Sequence, residues 1–193
     1  MKTLRLLIGL SGFLLAHSVL ADDFVIDKVH STLGFEIRHL VSKVTGKFDD
    51  FSGTIHYDEA KPEKSSVTVT IQTKSIDTSN DSRDTHLKSP DFFDVAKFPE
   101  ASFESTSVKK TGDGVFDVTG KFTMHGVTKE VALKVEFLGK GPGPQGAIVS
   151  GWEATTSFKR SEFGLTWNKL VEGTQMLADD VAIVLKVEAD LRK

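Results

Sequence analysis

Apolar and polar residues alternate with a period of two through most of this chain, the signature of strands with one face buried. Leu33, Phe35 and Ile37 alternate with Gly34, Glu36 and Arg38, and Val67, Val69 and Ile71 alternate with Thr68, Thr70 and Gln72. Similar runs occupy residues 53–57, 101–108, 116–124, 131–137, 152–158 and 181–187, so the pattern predicts eight or nine strands. Gly112-Asp113-Gly114 and His125-Gly126-Val127-Thr128 read as hairpin connections, and residues 139–146 as a longer Gly/Pro loop, which makes sequence neighbours antiparallel. Pro62, Pro90, Pro99, Pro142 and Pro144 all fall outside the predicted strand centres, where no ladder hydrogen bond is lost.

One segment breaks the alternation. Residues 80–98 show neither period two nor β-branched enrichment, and the pattern predicts a helix from Asp81 to about Lys88. Ser79 or Asn80 serves as its N-cap, Asp81 and Asp84 suit the positive end of its dipole, and Pro90 stops it. Phe92, Phe93 and Phe98 follow as a cluster. The expected fold is therefore mainly β: an antiparallel barrel of about eight strands with a short helical insertion near residues 80–98, favoured over a sandwich because closure leaves no edge. A barrel of this size is either filled by side chains or open to one small ligand, and the strand pattern leaves both open.

The N-terminus carries Lys2 and Arg5, an apolar run over residues 6–15, and Ser18-Val19-Leu20-Ala21 just before Asp22-Asp23. That is the form of a secretory signal cleaved after Ala21, and it is too short and interrupted for a membrane span. The expected mature protein is one exported, soluble domain, residues 22–193, with no stable membrane insertion. Removing Lys2 and Arg5 from the 24 basic residues leaves 22 against 27 acidic ones, a net charge of about −5 that gives nucleic acid nothing to hold. With no cysteine, neither disulfides nor thiolate metal sites support the fold.

Local catalytic signatures are missing. No G-x-S-x-G elbow occurs, and the five histidines beyond His17 are separated by 9 to 39 positions, without H-x-x-x-H spacing. His30 and His39 meet only if they sit on neighbouring strands, and hydrogen-bonded structural roles are the stronger expectation, so neither metal nor cofactor is expected. Asp77, Ser79 and Asp81 begin like a calcium loop, but Ser82 and Lys88 stand where Gly and Glu are needed. Gly141-Pro142-Gly143-Pro144 precedes no helix, and its prolines remove N–H donors, so it is no phosphate loop. Beyond the signal there are thirteen phenylalanines, two tryptophans and one tyrosine, apolar area with almost no polar handle. A tightly filled core and a ligand cavity both explain that inventory.

The segment Val25-Ile26-Asp27-Lys28-Val29-His30-Ser31, running on to Phe35-Glu36-Ile37-Arg38-His39-Leu40, resembles the opening of the YceI-like family of exported polyisoprenoid-binding proteins. Thr78-Ser79-Asn80-Asp81-Ser82-Arg83-Asp84-Thr85-His86-Leu87 with Asp91-Phe92-Phe93, Met124-His125-Gly126-Val127-Thr128-Lys129, and Gly151-Trp152-Glu153-Ala154 with residues 158–164 continue the likeness in order. The resemblance implies a lipocalin-like, up-and-down barrel holding an isoprenoid lipid or isoprenoid quinone, a periplasmic carrier rather than an enzyme. An enzyme using the same cavity, and a stress-related interaction protein with a filled barrel, are the competing readings. The implied apolar lining is Phe35, Ile37, Val69, Ile71, Phe103, Phe122, Leu133, Val135, Phe158 and Phe163, with Leu87, Phe92 and Phe93 closing one mouth. Arg38, His39, Arg83, His86 and Arg160 are the candidate head-group donors. The pattern departs from the family before Gly151-Trp152, where Ala147-Ile148-Val149-Ser150 stand in place of an expected basic residue. Monomer and homodimer are both left open.

Overall fold

The computed structural model describes residues 21–192; all of the expected signal except Ala21 lies outside them. In chain order the elements are β1 (Asp22–His39), β2 (Ser42–Phe48), β3 (Phe51–Tyr57), β4 (Ser66–Gln72), β5 (Ile76–Asp77), α1 (Asp81–Lys88), β6 (Glu100–Gly112), β7 (Val115–Met124), β8 (Val127–Pro142), β9 (Ile148–Lys159), β10 (Leu170–Val171), β11 (Thr174–Gln175) and β12 (Leu177–Leu191). Only β10 and β11 stand apart, as a two-stranded hairpin.

The remaining strands close into a barrel of eight antiparallel staves. The C-terminal half of β1 pairs with β2, from Leu33↔Phe48 to His39↔Ser42, and its N-terminal half with β3, from Asp22↔Tyr57 to Val25↔Thr54. Strands β2 and β3 thus act as one stave broken at Asp49-Asp50, and β4 and β5 as another, broken by a 3-10 turn over Thr73–Ser75. The ladder then runs β3-β4-β6-β7-β8-β9-β12 and returns to β1, whose register with β12 extends from Phe24↔Leu191 to His39↔Leu177. The ring closes where β12 pairs with β1, while next to α1 the outer edge of β2 pairs with β5 only at Lys47 and Phe48.

Local chemistry accounts for the connections. His125 and Gly126 both have positive φ (53° and 75°), the two-residue turn that matches strand twist and returns β7 into β8. Helix α1 has the predicted bounds: the Asn80 side chain accepts the Arg83 N–H at 2.9 Å, capping the first turn. Asp84, buried, accepts the Thr78 N–H at 3.0 Å and the Thr78 hydroxyl, which fastens the helix to the barrel rim.

Two expectations are corrected, and two elements had no signal in the sequence. The Gly/Pro loop is shorter than residues 139–146, because Gly139, Lys140, Gly141 and Pro142 pair with β9 and only residues 143–147 remain outside the ladder. Pro142 is tolerated because it is the last strand residue. The stave over Ser42–Phe48 and the β10–β11 hairpin were not legible in the alternation, since Gly46 occupies an inward position of the first and the second is too short to show a period. His30 and His39 both lie on β1, so they cannot meet across neighbouring strands.

Candidate ligand-binding cavity

Alternate residues of every stave point inward, yet many of those side chains are only half-buried. Ile37 on β1, Val69 on β4, Leu133 and Val135 on β8, and Val181, Ile183, Leu185 and Val187 on β12 are all of this kind. Inward apolar side chains in a filled barrel are fully buried; these retain accessible surface because they border an interior cavity of about 570 Å³, whose wall is almost wholly apolar. The fully buried clusters lie toward its two ends: Phe24, Tyr57, Phe116 and Trp152 at one, Met124, Phe163 and Leu165 at the other.

Two glycines help to keep the lumen clear. Gly46 stands opposite Phe35 in the β1–β2 register, and a Cβ there would collide with the Phe35 ring, so the ring lies along the wall in the space the glycine leaves. Gly120 admits the Phe103 ring in the same way. Large aromatics can thus cover the wall without crossing the lumen.

One mouth is built by α1 and the segment after it. Leu87, Phe92 and Phe93 reach the cavity, with Phe93 edge-on to Phe48 at 5.7 Å and Phe92 against Trp167 at 5.0 Å. Polar groups gather at this mouth. The Arg83 guanidinium donates through Nε to Thr78 Oγ1 and through Nη2 to the Thr78 carbonyl, both at 2.7 Å. The His86 ring is fixed by Asp91 at 2.8 Å and stands edge-on to Trp167 at 4.9 Å. Arg160 is buried and donates to three carbonyls, those of Ala178 (2.9 Å), Leu165 (2.6 Å) and Trp167 (2.9 Å). Burial lowers its pKa from the ordinary value, with nearby Asp179 opposing.

Of the apolar residues named from the sequence, Phe35, Ile37, Val69, Ile71, Phe103, Phe122, Leu133, Val135 and Phe158 line the cavity, as do His39, Arg83, His86 and Arg160 among the polar ones. Phe163 does not. It is fully buried behind the wall, with its ring 5.4 Å from Phe122 and 5.1 Å from Phe158. The reason is that Phe163 belongs to a 3-10 turn over Arg160–Phe163, where strand alternation no longer fixes direction. Arg38 also lies off the wall: it alternates with inward Ile37 and His39, and its Nη1 donates to the Leu40 carbonyl outside. Reasoning from sequence missed the aromatic end formed by Tyr57, Phe116 and Trp152, and the whole inward face of β12, although the alternation of Val181, Ile183, Leu185 and Val187 pointed to it. Trp167, Met176 and Leu177 had no such signal, because they sit in or beside an irregular segment.

A closed up-and-down barrel with an unfilled apolar lumen and polar groups at one mouth falls among the small barrels built to enclose a single guest. The chain belongs to the YceI-like family, its residues 24–189 matching the YceI-like domain. A UPF0312 protein of Azotobacter vinelandii is 44% identical over 167 residues, covering 85% of this chain and 87% of its own. The crystal structure of the Campylobacter jejuni YceI protein superposes with a TM-score of 0.70 at 34% identity, covering 86% of this chain and 96% of that one. The fold is also shared with a polyisoprenoid-binding domain of Saccharophagus degradans, implicated in plant cell wall breakdown, at a TM-score of 0.61 and 17% identity over 88% of this chain and 98% of that one.

Proposed function

We propose that this protein is a non-catalytic carrier that shelters the hydrocarbon tail of an isoprenoid lipid or isoprenoid quinone in its barrel and works in the periplasm. The observation that carries the reading is the open apolar lumen, bordered by inward side chains that remain half-exposed. The name of the Saccharophagus degradans domain and the sequence of the N-terminal segment support the ligand class and the export. A prenyl unit has about five carbons, so at about 0.8 kcal/mol per buried CH₂ each contributes about 4 kcal/mol gross. Four units match or exceed the roughly 4–15 kcal/mol cost of association, so affinity arises from the tail. The head group then sits at the α1 mouth, within reach of His39, Arg83, His86 and Arg160, the last three already oriented by hydrogen bonds.

Native mass spectrometry of protein purified from its own host is expected to show an apolar adduct that added polyprenol or long-tail quinone displaces. Protein that is uniformly ligand-free and takes up neither compound would overturn the reading. Incubation with a bound prenyl phosphate or quinone separates carrier from enzyme: the carrier returns the compound unchanged.

A further inference from the structure

We propose that the outer face of the barrel seam carries a divalent transition-metal site of zinc type, formed by His30 Nδ1, Asp27 Oδ2 and Glu188 Oε1. It uses neither the cavity nor the mouth. Asp27 follows the inward Ile26, and Glu188 follows the inward Val187, so both carboxylates project outward.

The geometry comes from a defect in the ladder. Asp27 pairs with Glu188 and Thr32 with Lys186, so residues 28–31 of β1 bulge opposite the single residue Val187. The bulge turns His30 back over the Asp27–Glu188 pair, with Nδ1 at 2.6 Å from Asp27 Oδ2 and 3.8 Å from Glu188 Oε1. The three donor atoms lie within 4.8 Å of one another. A tetrahedral zinc ion with bonds of about 2.0–2.2 Å sets its ligands about 3.4 Å apart, so small side-chain rotations bring all three into place and leave the fourth position to water.

Two further features favour a cation there. Carboxylates directly opposite each other on neighbouring strands repel, and among the described residues neither Asp27 nor Glu188 is within ion-pair distance of a lysine or arginine. The Asp27 carboxylate is also held from behind. The Val29 N–H donates to Asp27 Oδ1 at 2.8 Å, and the Ser31 hydroxyl donates to the Glu188 carbonyl at 3.1 Å while accepting the Glu188 N–H at 3.0 Å. The Val29 contact is the kind that orients a metal ligand, while the Ser31 contacts fix the Glu188 main chain from which its carboxylate extends. The mixed nitrogen and oxygen set suits zinc-class ions over calcium, which prefers six or more oxygens. A bound ion would link the first strand of the barrel to the last.

The test is Zn²⁺ titration of tag-free protein by calorimetry, with Ca²⁺ as comparison and His30→Gln, Glu188→Gln and His56→Gln as variants. His56 has one carboxylate partner, Asp23, and serves as control. The expected result is one equivalent of Zn²⁺, affinity reduced tenfold or more in His30→Gln and Glu188→Gln but unchanged in His56→Gln, and no comparable Ca²⁺ binding. The wild-type thermal midpoint rises with Zn²⁺, and those two variants lose the rise. Zn²⁺ binding undiminished in His30→Gln, or absent from the wild type, overturns the proposal. If a variant misfolds, histidine-ring NMR of the wild type decides: Zn²⁺ must move the His30 signals before those of His56, His86 or His125.

Discussion

Ala154→Phe tests the open interior directly. Ala154 borders the cavity from β9, between Val135 on β8 and Leu185 on β12, both half-buried and inward. A phenylalanine there projects into a space of about 570 Å³ and covers part of its neighbours' exposed apolar surface. Full burial of such a side chain is worth about 1.5–3 kcal/mol, so partial burial should stabilise the ligand-free protein by about 1–2 kcal/mol. For a domain of this size that raises the thermal midpoint by about 2–8 °C. The ring also occupies at least one prenyl unit's place, and losing part of that unit's roughly 4 kcal/mol predicts uptake of a polyprenol weakened about a hundredfold. Urea unfolding of the delipidated variant and a tryptophan-fluorescence titration measure the two effects. In a filled barrel the same substitution overpacks the core and costs about 1–3 kcal/mol. Loss of stability with unchanged uptake would refute the reasoning.

Phe163→Ala should act oppositely to a lining change: at 0% exposure it leaves a cavity behind the wall, costing about 3–5 kcal/mol in urea unfolding. Gly46→Ala should drive the Phe35 ring from the wall toward the lumen, costing about 1–3 kcal/mol and weakening uptake, both measurable on the same samples. Asn80→Ala removes the cap of α1 and should cost about 1 kcal/mol, seen as faster hydrogen exchange at the Arg83 amide. Tyr57 is the single tyrosine, so absorbance at the phenolate band reports it alone. Burial first, then Glu59, hold its pKa above the ordinary 10.0, with Lys140 opposing. Because the folded state disfavours ionisation, this stabilisation is complete below pH 10 and is lost as pH rises through the folded value. The titration midpoint should lie above 10 and rise further with a tail bound against the ring; a midpoint at or below 10 in folded protein would contradict its burial.

Much of the architecture was legible because strand alternation, turn residues and helix caps are local properties. The Asn80 cap, the Asp81 to Lys88 helix and the His125-Gly126 turn needed only their immediate neighbours. The cavity wall was legible residue by residue wherever a regular strand fixed direction, as for Ile37, Val69 and Val135. It failed where the backbone leaves the strand, at Phe163 in its 3-10 turn and at Trp167.

The order of residues along the chain determined which side of each strand is apolar and where the chain reverses. Tertiary structure alone decided that side chains leave the lumen unfilled, since lumen width follows from the number, tilt and stagger of staves once the sheet closes, and the same inward residues would fill a narrower ring. It alone also set Asp27 against Glu188, because closure of β12 onto β1 joins the two ends of the sequence and no local pattern encodes a contact at that separation.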